Sequence, residues 1–148
     1  MAPLQDILDQ TFETTRGALA VRAILAADRN TVFLSYPGDF SPVCTKQFCT
    51  YRDMWAALQA VPCLWWGINT GTVEQHTKFR ETHRLPFDLI ADPQAVLLRA
   101  LGLSSWLRPK RGVALVTPDG TLAHQMSVWP WTYPTPDALA TLVRGWMA

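Results

Sequence analysis

The chain has 148 residues, of which 49% are hydrophobic and 17% charged, and its formal net charge at pH 7 is +1. These values are typical of a soluble globular protein, and they predict one domain over residues 1–148 whose core needs no disulfide bonds. The balanced charge, without a polybasic or acidic run, argues against binding to nucleic acids or to anionic membranes. No apolar stretch approaches the roughly 20 residues of a membrane-spanning helix.

The cysteine content and the first residues indicate the compartment. Met1 to Asp6 lack the basic start and the apolar core of a signal peptide. The chain has 3 cysteines, an odd number, and in a protein that is not exported this favours reactive thiols over structural disulfides. We therefore expect a cytoplasmic protein.

The first half of the chain shows three patterns in succession. Alanine and leucine are frequent from Gly17 to Ala27, which favours a helix on propensity alone. The apolar run from Thr31 to Tyr36 predicts a buried strand that ends at Pro37-Gly38. After Ser41, apolar residues recur at helical spacing, and this pattern predicts one helix as far as about Gln59.

Downstream, strands and helices continue to alternate. We predict strands over residues 61–68, 87–90, 112–117 and 121–128, and helices over 71–86, 92–102 and from 135 onwards. The connection between residues 129 and 134 is rich in proline and aromatic residues. Strands that alternate with helices, followed by a hairpin and a last helix, predict an α/β fold of the thioredoxin type, with a central mixed sheet between helices.

The start of the helix predicted after Ser41 favours a reactive thiol. Ser41 is suited to the N-cap position and Pro42 to the first turn. Cys44 then lies in that first turn, where unpaired backbone N–H groups and the helix dipole favour a negative charge. Because the thiolate is the nucleophilic form of cysteine, Cys44 is the candidate reactive residue.

The residues from Pro37 to Cys49 resemble the active-site segment of the peroxiredoxins. Pro37, Ser41 and Cys44 stand at the spacing of that family's proline, threonine or serine, and cysteine. The second cysteine, Cys49, is similar to that of the peroxiredoxin Q branch, the bacterioferritin-comigratory proteins. The resemblance continues in the family's order through residues 66–69, 76–79, 85–87, 91–93 and 111–120, and it covers the chain from about Phe12 to the C-terminus.

This resemblance implies a thioredoxin-like fold and a different start to the chain. Peroxiredoxins usually have a β-hairpin where propensity favours a helix. The hairpin would have its turn at residues 14–17 and its return strand at 18–21, with a short helical turn at 24–25. We favour the hairpin over the helix.

The resemblance also implies an activity, that of a thioredoxin-dependent thiol peroxidase that reduces hydrogen peroxide and alkyl hydroperoxides without metal, flavin or haem. Cys44 would be the peroxidatic cysteine, oxidised to a sulfenic acid, and Cys49 the resolving cysteine that closes an intramolecular disulfide. Arg111 would be the active-site arginine, Ser41 would bond the peroxide oxygens, and Pro37 would shield Cys44 from water. Thioredoxin or a glutaredoxin-like protein would reduce the disulfide, and a monomer is expected because this branch is often monomeric.

Geometry constrains the disulfide between Cys44 and Cys49. Residues five apart on an α-helix are separated by about 7.5 Å along the axis and by about 140° around it. Their Cα atoms are then farther apart than the roughly 7 Å that a disulfide allows. We therefore expect the first turns of the helix to unwind before the bond forms.

Two alternatives stay open and a third is disfavoured. The cysteine pair could belong to a peroxide or redox sensor that passes an oxidising signal to a partner. Cys49 could take no part, since some peroxiredoxins work without a resolving thiol. A disulfide reductase is disfavoured, because the cysteines of such enzymes are separated by two residues, whereas four separate Cys44 from Cys49.

Some residues have a structural interpretation beside a functional one. Cys63 lies in a predicted strand, and we expect it to be inert. His76 and His83 share one predicted helix without a third ligand near them, so we expect no metal site there and a packed or surface position for His76. Gln47 stands where many relatives have glutamate. It keeps a hydrogen-bond acceptor but lacks the charge, and we expect this to leave Arg111 freer with little loss of the basic chemistry.

Two other features leave their roles open. Arg52 either pairs locally with Asp53 or lies near the active site, as the corresponding arginine does in the family. The tryptophans of the connections either border the active site or contact a partner; they are Trp106, Trp129 and Trp131.

Overall fold

Strands and helices alternate along most of the chain. The computed structural model describes residues 3–148. The expectation of no signal peptide falls in part on Met1 and Ala2, which lie outside the described residues. In chain order the elements are a 3-10 helix Leu4–Ile7, β1 Thr11–Thr14, β2 Gly17–Ala20, α1 Val21–Ile24, β3 Asn30–Ser35, α2 Pro42–Asp53, α3 Trp55–Gln59, β4 Cys63–Asn69, α4 Val73–His83, β5 Asp88–Ala91, α5 Val96–Ala100, β6 Ser104–Ser105, β7 Arg108–Pro109, β8 Arg111–Val116, β9 Leu122–Val128 and α6 Pro136–Met147. None of the helices in this part of the chain is long and apolar enough to cross a membrane.

A seven-stranded mixed sheet lies at the centre, in the order β2-β1-β5-β4-β3-β8-β9. Strands β3, β4 and β5 are parallel, whereas β1 and β8 join them antiparallel at either side. Strands β4 and β8 are buried almost throughout, as expected of strands that are covered on both faces. The predicted α/β arrangement, a mixed sheet between helices, is confirmed.

Strand β3 separates two hydrophobic cores, because successive side chains of a strand point to opposite faces. On one face, Val32 and Leu34 pack with apolar residues of α2, α3, α4 and α6. On the other face, Phe33 packs with residues of α1, α5 and the 3-10 helix. Cys44 belongs to the first core, so the helix that carries it is anchored against the sheet.

The N-terminal segment forms the hairpin that the family resemblance implied and not the helix that propensity favours. Strands β1 and β2 pair with Thr14 opposite Gly17. Gly17 has a left-handed φ of 108°, and Thr14 Oγ1 donates to its carbonyl at 2.7 Å. The return strand ends at Ala20, one residue earlier than predicted, and the helical turn also comes earlier. Both shifts follow because Val21 begins α1 and is buried with Ile24 in the second core.

The helix that carries Cys44 and Cys49 is shorter than predicted. It ends at Asp53, and a separate helix, α3, covers the rest of the predicted span, so the prediction of one continuous helix is wrong. Met54, with φ −116° and ψ 32°, redirects the chain. Trp55 then packs with its ring centroid 6.2 Å from that of Trp65. Tertiary packing thus overrides a sequence pattern that is helical throughout.

A small hairpin between α5 and β8 has no counterpart in the prediction. Strands β6 and β7 pair through Ser105 and Arg108, and Trp106 between them has a left-handed φ of 58°. The Lys110 amide donates to the Leu103 carbonyl at 2.8 Å and closes the hairpin. Turns with a positive φ usually carry glycine or asparagine, so this segment has no sequence signature of a turn.

Candidate active site

The candidate nucleophile lies in the first turn of α2. Ser41 has extended dihedrals, φ −67° and ψ 146°, and its Oγ accepts a hydrogen bond from the Cys44 amide at 3.3 Å. Pro42 follows at the first helical position. Cys44 is therefore the third residue of the helix, where the positive end of the helix dipole favours an anion. Because Ser41 acts here as an acceptor, its hydroxyl proton stays available to a further acceptor.

Arg111 reaches Cys44 because of the pairing between β3 and β8. The two strands are antiparallel with Ser35 opposite Gly112, so Arg111 begins β8 where β3 ends. The Ser35 hydroxyl donates to the Lys110 carbonyl at 2.5 Å and fixes this junction. Arg111 Nη2 then lies 3.1 Å from Cys44 Sγ.

The Arg111 guanidinium is held on every edge. Besides contacting Cys44, its Nε donates to the Pro130 carbonyl at 3.0 Å and its Nη1 donates to Gln47 Oε1. Arg111 is only 2% exposed, and within residues 3–148 no carboxylate lies within salt-bridge distance of it. A buried cation without a counter-ion is energetically costly. The Arg111 guanidinium is therefore placed to pair with a negative charge that develops at Cys44 Sγ.

Gln47 does not leave Arg111 freer, so that expectation is wrong. Its carbonyl oxygen accepts from Arg111, while its amide nitrogen donates to the Tyr51 hydroxyl at 3.3 Å. Tyr51 in turn donates to the Pro134 carbonyl at 2.8 Å. Burial raises the pKa of Tyr51 well above its usual value, so this hydroxyl stays protonated. A neutral amide thus fixes the guanidinium without neutralising its charge.

Cys49 lies on the same helix as Cys44 but faces a different neighbour. Its Sγ is 3.6 Å from Nδ1 of His83, the last residue of α4. All three cysteines are free thiols, and α2 is continuous from Pro42 to Asp53. The structure therefore brings Arg111 to Cys44 and leaves Cys49 five residues further along an intact helix.

Pro37 begins the loop between β3 and α2 and is exposed. It lines a cavity of about 280 Å³ together with other residues of that loop and with residues 69–71 and 75, and Cys44 is not among the lining residues. The Cys44 thiol is 0% exposed. A peroxide therefore reaches the sulfur only when the side chains that cover it move, and the shielding role of Pro37 stays a prediction.

A buried hydrogen-bonded group that the sequence analysis left unassigned holds this loop. Asp39 accepts from the Tyr36 hydroxyl at 2.6 Å and pairs with Nδ1 of His76 at 2.5 Å. The Asp39 side chain is 5% exposed and that of His76 is 0%. Burial and then the Asp39 carboxylate raise the pKa of Tyr36 well above its usual value, so Tyr36 remains a donor. His76 is thus packed, which was one of the two positions expected for it. The sequence feature that pointed to its pairing was its place in residues 76–79, a segment shared with the family.

The remaining polar residues near α2 make local contacts. Arg52 Nη2 lies 2.9 Å from an oxygen of Asp53, and its Nη1 donates to the His83 carbonyl at 2.7 Å. Arg52 therefore pairs locally and also links α2 to the end of α4. Across residues 3–148, no three His, Cys, Asp or Glu side chains are arranged to hold a metal ion.

The third cysteine lies away from this chemistry. Cys63 Sγ is 3.3 Å from Met147 Sδ, and the side chain is buried in the first core. Burial raises the pKa of the Cys63 thiol to about 11. At neutral pH this thiol is protonated, which agrees with its expected inertness.

Two exposed tryptophans flank the residue whose carbonyl contacts Arg111. Trp129 and Trp131 are 68% and 69% exposed, and their rings stack with centroids 5.4 Å apart. Pro130 between them is the residue whose carbonyl accepts from Arg111. Trp106, 82% exposed, lies instead in the small hairpin. The stacked pair thus flanks a residue that contacts Arg111, and both a border role and contact with a partner stay predictions.

Comparison with known proteins identifies the family. The model of the AhpC/TSA family matches residues 8–125. The chain belongs to the AhpC/TSA family. Among curated proteins, a putative peroxiredoxin bcp of Coxiella burnetii is 26% identical over 110 residues, which cover 69% of this chain and 71% of that protein. A peroxiredoxin of Aeropyrum pernix is 35% identical over 100 residues, but the match covers 62% of this chain and only 40% of that longer protein.

A solved structure supports the fold assigned to this peroxiredoxin. The bacterioferritin comigratory protein of Xanthomonas campestris superposes with a TM-score of 0.78 and covers 98% of this chain and 96% of its own. At 18% identity this likeness concerns the fold alone. It confirms the predicted thioredoxin-like fold, and the family match confirms the resemblance drawn from the residues between Pro37 and Cys49.

The first testable prediction concerns Gln47. In Gln47→Glu a carboxylate replaces the neutral acceptor of Arg111, so the guanidinium pairs with it and stabilises the Cys44 thiolate less. We expect alkylation of Cys44 by iodoacetamide at pH 7 to slow by up to about tenfold. The rate is measured by mass spectrometry in a Cys49→Ser background. Gln59→Glu, on the exposed side of α3, is the matched control. An unchanged or faster rate in Gln47→Glu contradicts the prediction.

The second prediction concerns the raised pKa of Cys63. Since this pKa is about 11, the folded protein keeps Cys63 as a thiol at pH 8.5, where an ordinary thiol is about half ionised. In a variant with Cys44→Ser and Cys49→Ser, we expect iodoacetamide to label Cys63 at least tenfold more slowly in buffer than in denaturing urea. Equal labelling rates in the two conditions would mean that burial does not protect the thiol.

Proposed function

We propose that this peroxiredoxin is a thiol peroxidase that reduces hydrogen peroxide and alkyl hydroperoxides through Cys44. The observation that carries the proposal is the 3.1 Å contact between Arg111 Nη2 and Cys44 Sγ, with the guanidinium buried and without a carboxylate in the described residues. An arginine offers several donors in a fixed fork and stays charged at physiological pH. It can therefore stabilise a thiolate and then the oxygen that the thiolate attacks.

In the first step the Cys44 thiolate attacks one oxygen of the peroxide. A sulfur–oxygen bond forms while the oxygen–oxygen bond breaks, and the hydroxide or alkoxide that leaves takes a proton and departs as water or alcohol. The negative charge that develops on the leaving oxygen needs donors that are already oriented. The Arg111 guanidinium and the Ser41 hydroxyl are the donors we assign to this role, and Pro37 borders the approach. The product is a sulfenic acid at Cys44.

In the second step Cys49 attacks the Cys44 sulfenic acid and expels water, leaving a disulfide. The continuous helix α2 keeps the two residues apart, so its first turns must unwind. The break at Met54 supports this step, because α3 need not move with α2. The contacts of Arg52 with Asp53 and with the His83 carbonyl hold the last turn in place meanwhile.

The catalytic cycle closes by thiol–disulfide exchange with a dithiol protein, thioredoxin or a glutaredoxin-like reductant. Both cysteines belong to one chain, so we expect the oxidised protein to remain a monomer. The bacterioferritin comigratory protein of Xanthomonas campestris has been studied for its alkyl peroxide reduction activity, which supports the same substrate class here. No metal or organic cofactor takes part in the proposed cycle.

Peroxide consumption coupled to the oxidation of NADPH by thioredoxin reductase and thioredoxin tests this function. Cys44→Ser should abolish consumption, because the attacking sulfur is lost, whereas Cys63→Ser should keep the rate within about twofold of the wild type. Arg111→Gln removes the charge and should lower the second-order rate with peroxide by about a hundredfold or more. Consumption that survives in Cys44→Ser overturns the assignment. If peroxide produces the disulfide but neither thioredoxin nor a glutaredoxin-like protein supports turnover, the redox sensor is favoured instead.

A separate measurement tests the unwinding. In the disulfide form, we expect the amides of residues 43–49 to exchange with deuterium at least tenfold faster than in the reduced protein, because their helical hydrogen bonds are broken. The amides of α6 serve as the internal control and should be unchanged. A Cys44–Cys49 disulfide with unaltered protection of α2 would show that the bond forms by another route.

A further inference from the structure

Residue His83 joins the two helices on which the proposed second step depends. Its Nδ1 lies 3.6 Å from Cys49 Sγ, within hydrogen-bond distance for sulfur. Its carbonyl accepts from Arg52 Nη1 at 2.7 Å, and Arg52 lies about one turn beyond Cys49 on α2. The two contacts, one from the ring and one from the backbone of His83, thus join the end of α4 to the part of α2 that carries Cys49.

The proposed function requires that Cys49 lose a proton, and the side chains described in contact with Cys44, those of Ser41 and Arg111, include no base to take it. The guanidinium of Arg111 is a donor only, and Gln47 Oε1 already accepts from it. Imidazole, by contrast, is the side chain that exchanges protons near neutral pH, and one ring nitrogen of its neutral form accepts a hydrogen bond. We infer that His83 is the general base that deprotonates Cys49 for attack on the sulfenic acid, an inference that rests on the proposed function.

Atoms and charge are conserved in this step. The proton of the Cys49 thiol moves to Nδ1 of His83, which becomes an imidazolium, and the thiolate is released as α2 unwinds. The Cys49 sulfur then attacks the sulfur of the Cys44 sulfenic acid. A sulfur–sulfur bond forms, the sulfur–oxygen bond breaks, and hydroxide leaves and is protonated to water. The proton that Cys49 gave up is returned to solvent when the imidazolium is deprotonated.

The surroundings of His83 suit a transient positive charge. It ends α4, where the negative end of the helix dipole favours a cation. The ring packs near Phe79 and Phe40, with centroids 5.2 Å and 5.9 Å away. Of the neighbouring cations, Arg52 pairs with Asp53 at 2.9 Å and Arg80 on α4 with Asp88 at 3.2 Å. Arg84, the next residue after His83, is exposed to solvent, and within residues 3–148 it is in no salt bridge.

The test separates the two chemical steps in a single turnover. Reduced protein is mixed with one equivalent of hydrogen peroxide and quenched at intervals, and mass spectrometry follows the gain of oxygen and then the loss of two hydrogens. In His83→Gln, which keeps a polar side chain of similar size but no base, we expect the first step to stay within twofold. We expect disulfide formation at pH 7 to slow by about a hundredfold. The deficit should shrink above about pH 8.5, where a thiol ionises unaided.

His124→Gln is the matched control, because His124 is exposed and stacks on Trp146, in strand β9 rather than α4. Its disulfide should form at the wild-type rate. If the disulfide forms in His83→Gln as fast as in the wild type, or faster, the inference is overturned. The contact with Cys49 then serves only to hold the thiol in position. A wild-type protein that consumes peroxide but stops at the sulfenic acid overturns the resolving step and this inference together. A wild-type protein that never gains oxygen overturns the proposed function itself.

Discussion

The contact between the Arg111 guanidinium and the Cys44 sulfur is the constraint on which the rest of the site depends. A buried cation needs an anion, and within the described residues only neutral acceptors and a thiol surround this one. The fold provides the contact through ordinary means, since antiparallel pairing of β8 with β3 brings Arg111 to the strand end that leads into the cysteine helix. The dipole of that helix adds to the same electrostatic preference.

The same contacts hold the residues around Cys44 in place in the reduced protein. The conformational change proposed for disulfide formation therefore falls on α2. Cys44 and Phe48 are both 0% exposed, so unwinding the first turns of α2 must disturb the first core. The Tyr36–Asp39–His76 group ties the preceding loop to α4 and limits how far that disturbance spreads. Cys44 is thus enclosed in the reduced protein, and Cys49 lies on a helix that would have to open for the proposed disulfide to form.

The sequence predicted the local features of the site and missed the contacts that depend on how the helices are rotated. Ser41 as N-cap follows from residue type and spacing, and the position of Arg111 follows from the family resemblance. The lost charge at Gln47 was expected to leave Arg111 freer, whereas in the fold the acceptor that Gln47 retains holds the guanidinium. The contact of Cys49 with His83 joins residues 34 apart and has no local signature. The break at Met54 likewise results from packing and not from a helix-breaking residue.

The Pro130 carbonyl gives the stacked tryptophans a property of their own. It is bonded to the Arg111 Nε, and Trp129 and Trp131 flank it directly in the chain. A single peptide unit therefore separates the bonded guanidinium from two solvent-facing indoles. Tryptophan emission is thus a label-free signal with which to follow the chemistry proposed at Cys44.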